Sequence, residues 1–306
     1  MSVSRQKVAI EPKSFAEYEA AVIAAGAKLS PMAEDVAALI WTDYARPEAL
    51  AELLDKNRQL EWVQLPFAGV DAFVEVLQHP VRFTSAKGSY REPVAEHALA
   101  LSLALARKLP ERVVAKSWGK KFAVSLYDSH IVIVGGGGIT EELLLLLAPF
   151  KTRVTVVRKH DSALAGANET VTFDRLDEYL AMADFVILAA ALTDETLYLM
   201  NERRFALMRP SAYLVNIARG KMVDSDALFE ALSSGTIAAA AIDVTDPEPL
   251  PDGHRLWDAP NLLITPHTAD TNAQVIRLFC NRIDANVKAW LGQGDWVGEV
   301  DPTLGY

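Results

Sequence analysis

The 306-residue sequence has one cysteine, Cys280, so no disulfide can form within the chain. It also lacks long apolar runs. The two most apolar segments, residues 98–106 and 143–148, are far shorter than the ~20 residues that a membrane-spanning helix needs. Residues 1–7 have no apolar core like that of a signal peptide. These absences predict a cytoplasmic protein without a transmembrane helix.

The sequence also has fewer basic than acidic residues. Lys and Arg number 30 against 40 Asp and Glu, which gives a formal net charge of −10 and a pI near 5.2. Because binding to nucleic acid or to an anionic membrane needs a basic face, both classes of partner are disfavoured and a small-molecule ligand is expected. The hydrophobic share of 51% is ordinary for a globular protein, and the length predicts about two domains.

The first third of the chain alternates short apolar runs, such as residues 8–10, 38–41 and 62–65, with helical patterns. This alternation predicts a parallel sheet covered by helices. Residues 66–71 follow the predicted strand 62–65, and ligands of open α/β sheets bind at strand ends. The loop is therefore a candidate binding loop, and a plain surface turn is the alternative.

A long helix is predicted from Pro93 to Leu109, with Pro93 in its first turn and Pro110 following its end. It has too many apolar residues for one buried face, so it should be covered on two sides. Its length would allow it to bridge two domains or to lie in a subunit interface. We interpret its Glu96 and His97 as local hydrogen-bonding residues rather than catalytic ones.

The alternation resumes with predicted strands near 131–134, 153–157, 170–173, 185–190, 212–217, 237–243 and 262–264. The first of them breaks into four glycines and a leucine-rich segment, which indicates strand, tight turn and helix. Gly135 and Gly137 match a dinucleotide-binding turn, in which the phosphates approach the helix N–H groups. The match is weak alone, because Thr140 stands where a third glycine is usual.

The strand after the glycine turn ends in Arg158 and Lys159, where an NAD-binding chain usually has an acid for the ribose 2′-hydroxyl. A guanidinium suits a 2′-phosphate instead, because its planar fork pairs with phosphate oxygens. The sequence therefore favours NADP over NAD. A solvated strand end is the alternative interpretation of Arg158.

Three further motifs in the second half each place a polar residue at or just after the end of a predicted strand: Asn216-Ile217-Ala218-Arg219-Gly220, Asp243-Val244-Thr245-Asp246-Pro247-Glu248-Pro249 and Pro266-His267. Taken singly, Arg219, Glu248 and His267 have plain interpretations as a surface charge, a turn residue and a half-buried histidine. Side chains at parallel strand ends converge on one crevice, however.

Together these motifs resemble the D-isomer-specific 2-hydroxyacid dehydrogenase family, and the resemblance, closest to its glyoxylate and hydroxypyruvate reductases, covers nearly the whole chain. It implies an α/β protein with two doubly wound parallel sheets, in which a dinucleotide-binding Rossmann domain (98–271) is inserted in a flavodoxin-like substrate domain (1–97 and 272–306). The active site would lie in the cleft, and a homodimer is usual.

The resemblance also implies the site residues. Arg219 would bind the carboxylate and carbonyl of a 2-oxo acid, His267 would protonate the carbonyl oxygen and Glu248 would hold the imidazole. The substrate carboxylate would also meet the backbone N–H groups of Ala68, Gly69 and Val70. Cofactor contacts are implied for Gly135, Gly137, Gly138, Ile139, Arg158, Lys159, Thr193, Ile217 and Asp243, with Asp243 accepting a hydrogen bond from the nicotinamide carboxamide.

The sequence departs from the family pattern at Thr140, whose helix would sit farther out or whose hydroxyl would face the pyrophosphate. Glu141 and Glu142 add negative charge beside the same site. We expect an NADPH-preferring reductase of glyoxylate, hydroxypyruvate or a similar 2-oxo acid, with NAD as the alternative cofactor and no metal. The rival is a dinucleotide-sensing regulatory or scaffold protein on this fold. A relative acting on formate or phosphite would need further active-site residues that the sequence does not show.

Overall fold

A computed structural model describes residues 6–270 and 272–301. By internal packing these residues divide into two compact units, one made of residues 6–90 with 272–301 and the other of residues 91–270. Each unit contains one parallel sheet. That one unit holds substrate and the other dinucleotide stays a prediction.

The regular elements follow in chain order. The strands are β1 (Lys7–Glu11), β2 (Lys28–Leu29), β3 (Ala38–Trp41), β4 (Trp62–Gln64), β5 (Arg82–Thr84), β6 (His130–Val134), β7 (Arg153–Val157), β8 (Glu169–Val171), β9 (Phe185–Leu188), β10 (Tyr213–Asn216), β11 (Ala239–Ile242) and β12 (Leu262–Ile264). The helices are α1 (Ala16–Ala24), α2 (Pro47–Lys56), α3 (Arg91–Ala106), α4 (Leu109–Val113), α5 (Gly138–Leu147), α6 (Leu176–Leu180), α7 (Glu202–Leu207), α8 (Ser225–Ser233) and α9 (Asn272–Trp290).

The sheet of the first unit has the order β2-β1-β3-β4-β5, and its neighbouring strands are all parallel. The strand order reverses between β1 and β3, which confirms the predicted doubly wound, flavodoxin-like arrangement. Strand β2 was not predicted, because its two exposed residues at the sheet edge carry no apolar pattern. A compact apolar core around Leu39, Val63 and Phe73 fills one face of this sheet.

The sheet of the second unit has the order β12-β11-β10-β9-β6-β7-β8, again with parallel neighbours throughout. Two apolar clusters cover its two faces, one around Val132 and Leu188 and the other around Ile133 and Ile187. Because both faces are buried, the central strands are continuous apolar runs rather than alternating ones. This sheet confirms the second doubly wound fold.

Helix α3 is covered on two sides, as predicted, by α5 and by strands β10 and β11. The prediction of its end was wrong. It ends at Ala106, Lys108 takes a left-handed backbone with φ +53°, and Pro110 lies in the first turn of α4 instead of after α3. Proline suits a first helical turn because its missing N–H has no partner there. The packing divides the chain before α3, whereas the boundary predicted after residue 97 falls inside it.

The last helix, α9, packs on α1 within the first unit. It ends before Gly292, whose φ of +75° suits a helix terminus. The chain that follows, for which the sequence predicted no packing, pairs with β5. The Ser85 N–H donates to the Gly298 carbonyl at 2.7 Å, and the Val300 N–H donates to the Phe83 carbonyl at 3.0 Å. Residues 302–306 lie outside the described residues.

Candidate active site

The chain turns between β6 and α5 at Gly135, where glycine is required for two reasons. Its φ is +112°, and a Cβ there would collide with the carbonyl of Ala189, the residue that follows β9. The strand order reverses between β6 and β9. The turn therefore lies at the switch point of the sheet, where doubly wound folds bind their ligands.

The far side of this turn is open. Gly137 is the N-terminal cap of α5, and a Cβ on it would meet no atom within 4 Å. The first N–H groups of a helix, which here include those of Gly138 and Ile139, have no partner within the helix. Such groups bind phosphate favourably. The predicted contacts of Gly135, Gly137, Gly138 and Ile139 with a dinucleotide remain proposals with a suitable geometry.

The hydroxyl of Thr140 does not face the ligand side of the turn, which was one of the two possibilities that the sequence left open. The side chain is fully buried, and its hydroxyl donates a hydrogen bond to the carbonyl of Gly135 at 2.8 Å. It thus closes the turn from inside instead of facing a pyrophosphate. Glu142 lies 3.8 Å from the guanidinium of Arg91, which offsets part of the negative charge at this helix start.

Arg158 follows β7 and lies across the glycine turn. Its Cδ occupies the space that a Cβ on Gly136 would need. The guanidinium donates to the hydroxyl of Ser162 at 2.6 Å and to the carbonyl of His160 at 3.1 Å. Lys159 beside it is exposed. The structure thus places a fixed cation at the end of β7, and it adds Ser162, which the sequence did not single out.

The end of β10 is shaped around Asn216, whose side chain is fully buried. Its amide accepts a hydrogen bond from the Ala218 N–H at 3.0 Å and donates to the Arg219 carbonyl at 2.9 Å. Gly220 allows the close approach of the Thr245 carbonyl, which a Cβ would block. This turn fixes the backbone that carries Arg219, while Ile217 is buried just before it.

Glu248 and His267 meet as predicted. The Nδ1 atom of His267 lies 2.5 Å from Oε1 of Glu248, and the Thr245 N–H donates to the other carboxylate oxygen at 3.3 Å. The hydrogen bond with Glu248 raises the pKa of His267 above its ordinary value, although burial and the charge of Arg219 act against the increase. The same bond lowers the pKa of Glu248, and the Arg219 charge lowers it further.

These three side chains form one charged group at the carboxyl edge of the second sheet. Glu248 holds the imidazole at Nδ1, which leaves Nε2 as the nitrogen that can exchange a proton with a ligand. An anionic partner at Nδ1 favours the imidazolium form. With Arg219 nearby, the group can bind an oxyanion and donate a proton to it.

Asp243, directly after β11, is enclosed, with a side chain that is 1% exposed. It accepts hydrogen bonds from the Thr265 hydroxyl at 2.5 Å, from the Thr268 N–H at 3.0 Å and from the Ala269 N–H at 3.2 Å. Burial acts to raise the pKa of Asp243, but hydrogen bonds from His97 and Thr265 outweigh it and lower the pKa. A contact with the nicotinamide carboxamide remains a proposal.

His97 was interpreted as a local hydrogen-bonding residue, and it does form hydrogen bonds. Its partners are distant in sequence, however. Its Nε2 lies 3.1 Å from the hydroxyl of Thr265 and 3.2 Å from Oδ1 of Asp243. Thr265 was also missed, although its position directly after β12 and before His267 was a usable signal.

Two predicted ligand loops are well ordered by their own hydrogen bonds. The loop after β9 is held by Thr196, whose hydroxyl accepts from the Thr193 N–H at 2.8 Å and donates to the Ala191 carbonyl at 2.8 Å. In the first unit, the loop after β4 is supported by Tyr90, whose hydroxyl donates to the Pro66 carbonyl at 2.7 Å.

The tip of that second loop carries Ala68, Gly69 and Val70. Within the described residues, their N–H groups donate to no protein acceptor. Such a run of free N–H groups can bind a carboxylate. The role of these residues in substrate binding remains a proposal.

Comparison with known proteins gives the family. A family model described as "D-isomer specific 2-hydroxyacid dehydrogenase, NAD binding domain" matches residues 99–269, more than half of the chain. The chain belongs to this family. It is therefore an oxidoreductase with a nicotinamide-dinucleotide domain, as the motifs at Arg219, Glu248 and His267 indicated.

The chain is also similar to individual proteins. An uncharacterized protein in the proB 3′ region of Corynebacterium melassecola is 38% identical over 83% of this chain and 86% of that protein. A glyoxylate reductase of Pyrococcus furiosus is 34% identical over 75% of this chain and 70% of the relative. A crystal structure of a D-isomer specific 2-hydroxyacid dehydrogenase from Xanthobacter autotrophicus Py2, in complex with NADPH and MES, is 26% identical. It superimposes with a TM-score of 0.85 and covers 98% of this chain and 99% of that one.

Among residues 6–270 and 272–301, no group of three or more His, Cys, Asp or Glu side chains is arranged to hold a metal ion. None of the helices in the described part of the chain is long and apolar enough to cross a membrane.

Proposed function

We propose that the protein reduces a small 2-oxo acid, glyoxylate, hydroxypyruvate or a similar compound, with NADPH to the 2-hydroxy acid, which is the D isomer wherever the product is chiral. The observation that carries this proposal is the pairing of His267 with Glu248 beside the charge of Arg219. A proton donor and a guanidinium are what reduction of an anionic carbonyl compound needs. The glyoxylate reductase of Pyrococcus furiosus supports the substrate class.

NADPH, when bound, supplies the hydride, which carries two electrons to the carbonyl carbon. The chain supplies the proton. As negative charge develops on the carbonyl oxygen, His267 donates its Nε2 proton to that oxygen and becomes neutral. The carbonyl becomes a secondary alcohol, or a primary one from glyoxylate, and Glu248 keeps the ring in place. General acid catalysis of this kind contributes typically ~10²–10⁴-fold in rate.

Arg219 binds the substrate in this proposal. Its guanidinium would pair with the carboxylate and with the carbonyl oxygen, so that one planar group sets both charge and orientation. The hydrogen bonds of Asn216 fix the backbone on which Arg219 stands, and Nη1 of Arg219 donates to the Ala218 carbonyl at 2.7 Å. The N–H groups of Ala68, Gly69 and Val70 are proposed as a second carboxylate anchor.

The preference for NADPH is proposed on Arg158. Its guanidinium is already held over the glycine turn by Ser162 and His160, so little side-chain freedom is lost when it pairs with a 2′-phosphate. Lys159 adds charge. The remaining contacts would come from the glycine turn, from Thr193 and Ile217, and from Asp243, whose Oδ2 accepts a hydrogen bond from the Ala269 N–H.

A homodimer is proposed on an exposed apolar surface that follows α3. Its most exposed members are Trp118 at 97% and Val113 at 83%, and Val114, Leu109 and Phe122 lie between 49% and 74%. Large apolar side chains clustered at a surface usually mark an interface. The molar mass in solution measures this directly. The cytoplasmic location stays a prediction.

The experiment that tests the proposed function is the initial rate of NADPH and NADH oxidation with a panel of 2-oxo acids. We expect the highest kcat/KM with NADPH and a two- or three-carbon 2-oxo acid. The rival interpretation, a dinucleotide-sensing scaffold, would bind cofactor without turnover. Nothing in the arrangement of Arg219, Glu248 and His267 favours it.

A further inference from the structure

A hydrogen-bonded network links the long helix α3 to the loop that carries His267. The network consists of His97 on α3, Asp243 after β11 and Thr265 after β12. The Nε2 atom of His97 lies 3.1 Å from the Thr265 hydroxyl oxygen and 3.2 Å from Oδ1 of Asp243. All three residues belong to the second unit.

Chemistry fixes the direction of these bonds. The Asp243 carboxylate, ionised because its pKa is lowered, can only accept hydrogen bonds. The Thr265 hydroxyl donates its one proton to Oδ1 of Asp243 at 2.5 Å. His97 must therefore carry its proton on Nε2 and donate it to the oxygens of this pair. Without His97, the buried carboxylate would lose one of its few donors, which is costly for an enclosed charge.

The Asp243 carboxylate in turn holds the loop that carries His267. It accepts hydrogen bonds from the N–H groups of Thr268 and Ala269, the two residues after His267. The His267 N–H donates to the Asp243 backbone carbonyl at 2.8 Å and to the Thr265 carbonyl at 3.1 Å. The loop thus wraps around one aspartate, on both sides of His267.

The loop needs this support, because His267 has a left-handed backbone with φ +51°. For a residue with a side chain, this conformation is unfavourable and persists only where the surroundings enforce it. If the Asp243 carboxylate could rotate, the loop would be free to relax, and the imidazole would leave its place beside Glu248.

We propose that His97 and Thr265 are positioning residues for the reaction, which hold the His267 loop in its left-handed conformation through the Asp243 carboxylate. This inference rests on the proposed reductase function. Neither residue touches the reacting atoms, and both act through Asp243. A small misplacement of a catalytic group can reduce the rate by as much as ~10²-fold, so a network of this kind has a measurable effect.

The test compares four variants with wild type. Thr265→Val removes the hydroxyl and keeps the volume, and Thr265→Ser restores the hydroxyl. His97→Ala removes the donor, and His97→Gln supplies an amide N–H. We expect kcat for the 2-oxo acid to fall about tenfold or more in Thr265→Val and His97→Ala, with the NADPH dissociation constant changed by less than about threefold. Thr265→Ser and His97→Gln should recover most of kcat.

The chain offers a matched control pair. Nε2 of His130 lies 2.9 Å from the hydroxyl of Thr155, so the same two residue types form the same bond away from the site. Thr155→Val and His130→Ala should lower Tm without lowering kcat. A merely structural role for His97 and Thr265 would give this same pattern.

The outcomes separate the proposed reductase function from the positioning role of His97 and Thr265. If wild type turns over no 2-oxo acid, the proposed function fails. If wild type is active and both Thr265→Val and His97→Ala keep kcat within twofold, the positioning role is overturned. Should His97→Ala fail to fold, Thr265→Val decides alone, because it leaves the volume of the core unchanged.

Discussion

The imidazole of His267 and the carboxylate of Glu248 are joined at 2.5 Å between Nδ1 and Oε1, although 19 positions separate the residues in sequence. Both side chains remain partly exposed, at 49% and 40%. The pair is therefore held together and still accessible to a ligand. Because the two groups share this hydrogen bond, the pKa of His267 is raised and the pKa of Glu248 is lowered.

The first prediction concerns the pH dependence of reduction. Reduction needs protonated His267, so kcat/KM should be highest below the raised pKa and fall as pH rises through it. In Glu248→Gln the anionic partner is lost, the histidine pKa decreases, and the fall should begin at lower pH. Oxidation of the 2-hydroxy acid needs neutral His267 and should show the opposite dependence.

The measurement is the pH profile of kcat/KM for wild type and Glu248→Gln under conditions in which chemistry limits the rate. Asp252→Asn, an exposed carboxylate in the same segment, is the control and should leave the profile unchanged. If kcat/KM fell at the same pH in wild type and in Glu248→Gln, the pairing of His267 with Glu248 would be contradicted.

The second prediction concerns the choice of cofactor. Arg158→Asp removes the proposed partner of the 2′-phosphate and adds repulsion. The loss of a charged hydrogen bond, ~1.5–3 kcal/mol, should reduce kcat/KM for NADPH by about one to two powers of ten. Activity with NADH should change little or rise.

Arg153→Asp is the matched control, because Arg153 lies at the other end of the same strand, β7. It should leave the ratio of NADPH to NADH activity unchanged. A wild-type enzyme with equal or higher kcat/KM for NADH would show that Arg158 does not select the cofactor.

The third prediction concerns substrate binding by Arg219. Arg219→Lys keeps the positive charge and loses the planar fork, so KM for the 2-oxo acid should rise and kcat should fall together. The NADPH dissociation constant should stay close to that of wild type. Arg209→Lys, at an exposed site beside Asp184, serves as the control. Unchanged kinetics in a folded Arg219→Lys protein would move the carboxylate anchor to the loop of residues 68–70.

The fourth prediction separates two glycines of one turn. Gly135→Ala places a methyl group against the Ala189 carbonyl in a backbone conformation that disfavours it, and should destabilise the fold by more than ~1 kcal/mol. In Gly137→Ala the methyl group would lie in open space, so the free energy of unfolding should change by about 1 kcal/mol or less. Its methyl group would stand on the ligand side, so the NADPH dissociation constant should rise. Equal Tm values for the two variants would contradict this account of the turn.

The sequence predicted what depends on local pattern. The apolar run of β6, the glycines after it and the cation at Arg158 are each visible within a few residues, so the fold class and the strand ends followed from them. Strand β2 has too few residues for a pattern, and the break at Lys108 depends on a backbone conformation that no local residue type demands.

The site was harder to predict where it depends on distant contacts. A pyrophosphate contact for the Thr140 hydroxyl was one of two possibilities, because the sequence does not show that the Gly135 carbonyl lies within hydrogen-bonding distance. The bond between His97 and Thr265 spans 168 positions. Only the packing of α3 against the carboxyl ends of the strands brings these residues together.

The central claim is that this chain transfers hydride from NADPH to a 2-oxo acid with His267 as the proton donor. The most direct measurement follows the reduction of two 2-oxo acids by wild type and His267→Ala. Glyoxylate gives the rate and the NADPH consumed per 2-oxo acid, and hydroxypyruvate gives the configuration of the product. We predict one NADPH consumed per 2-oxo acid, a D-2-hydroxy acid as product, and a rate in His267→Ala lower by ~10²–10⁴-fold with NADPH still bound. Equal NADPH consumption by wild type and His267→Ala, or an L product, would contradict the account.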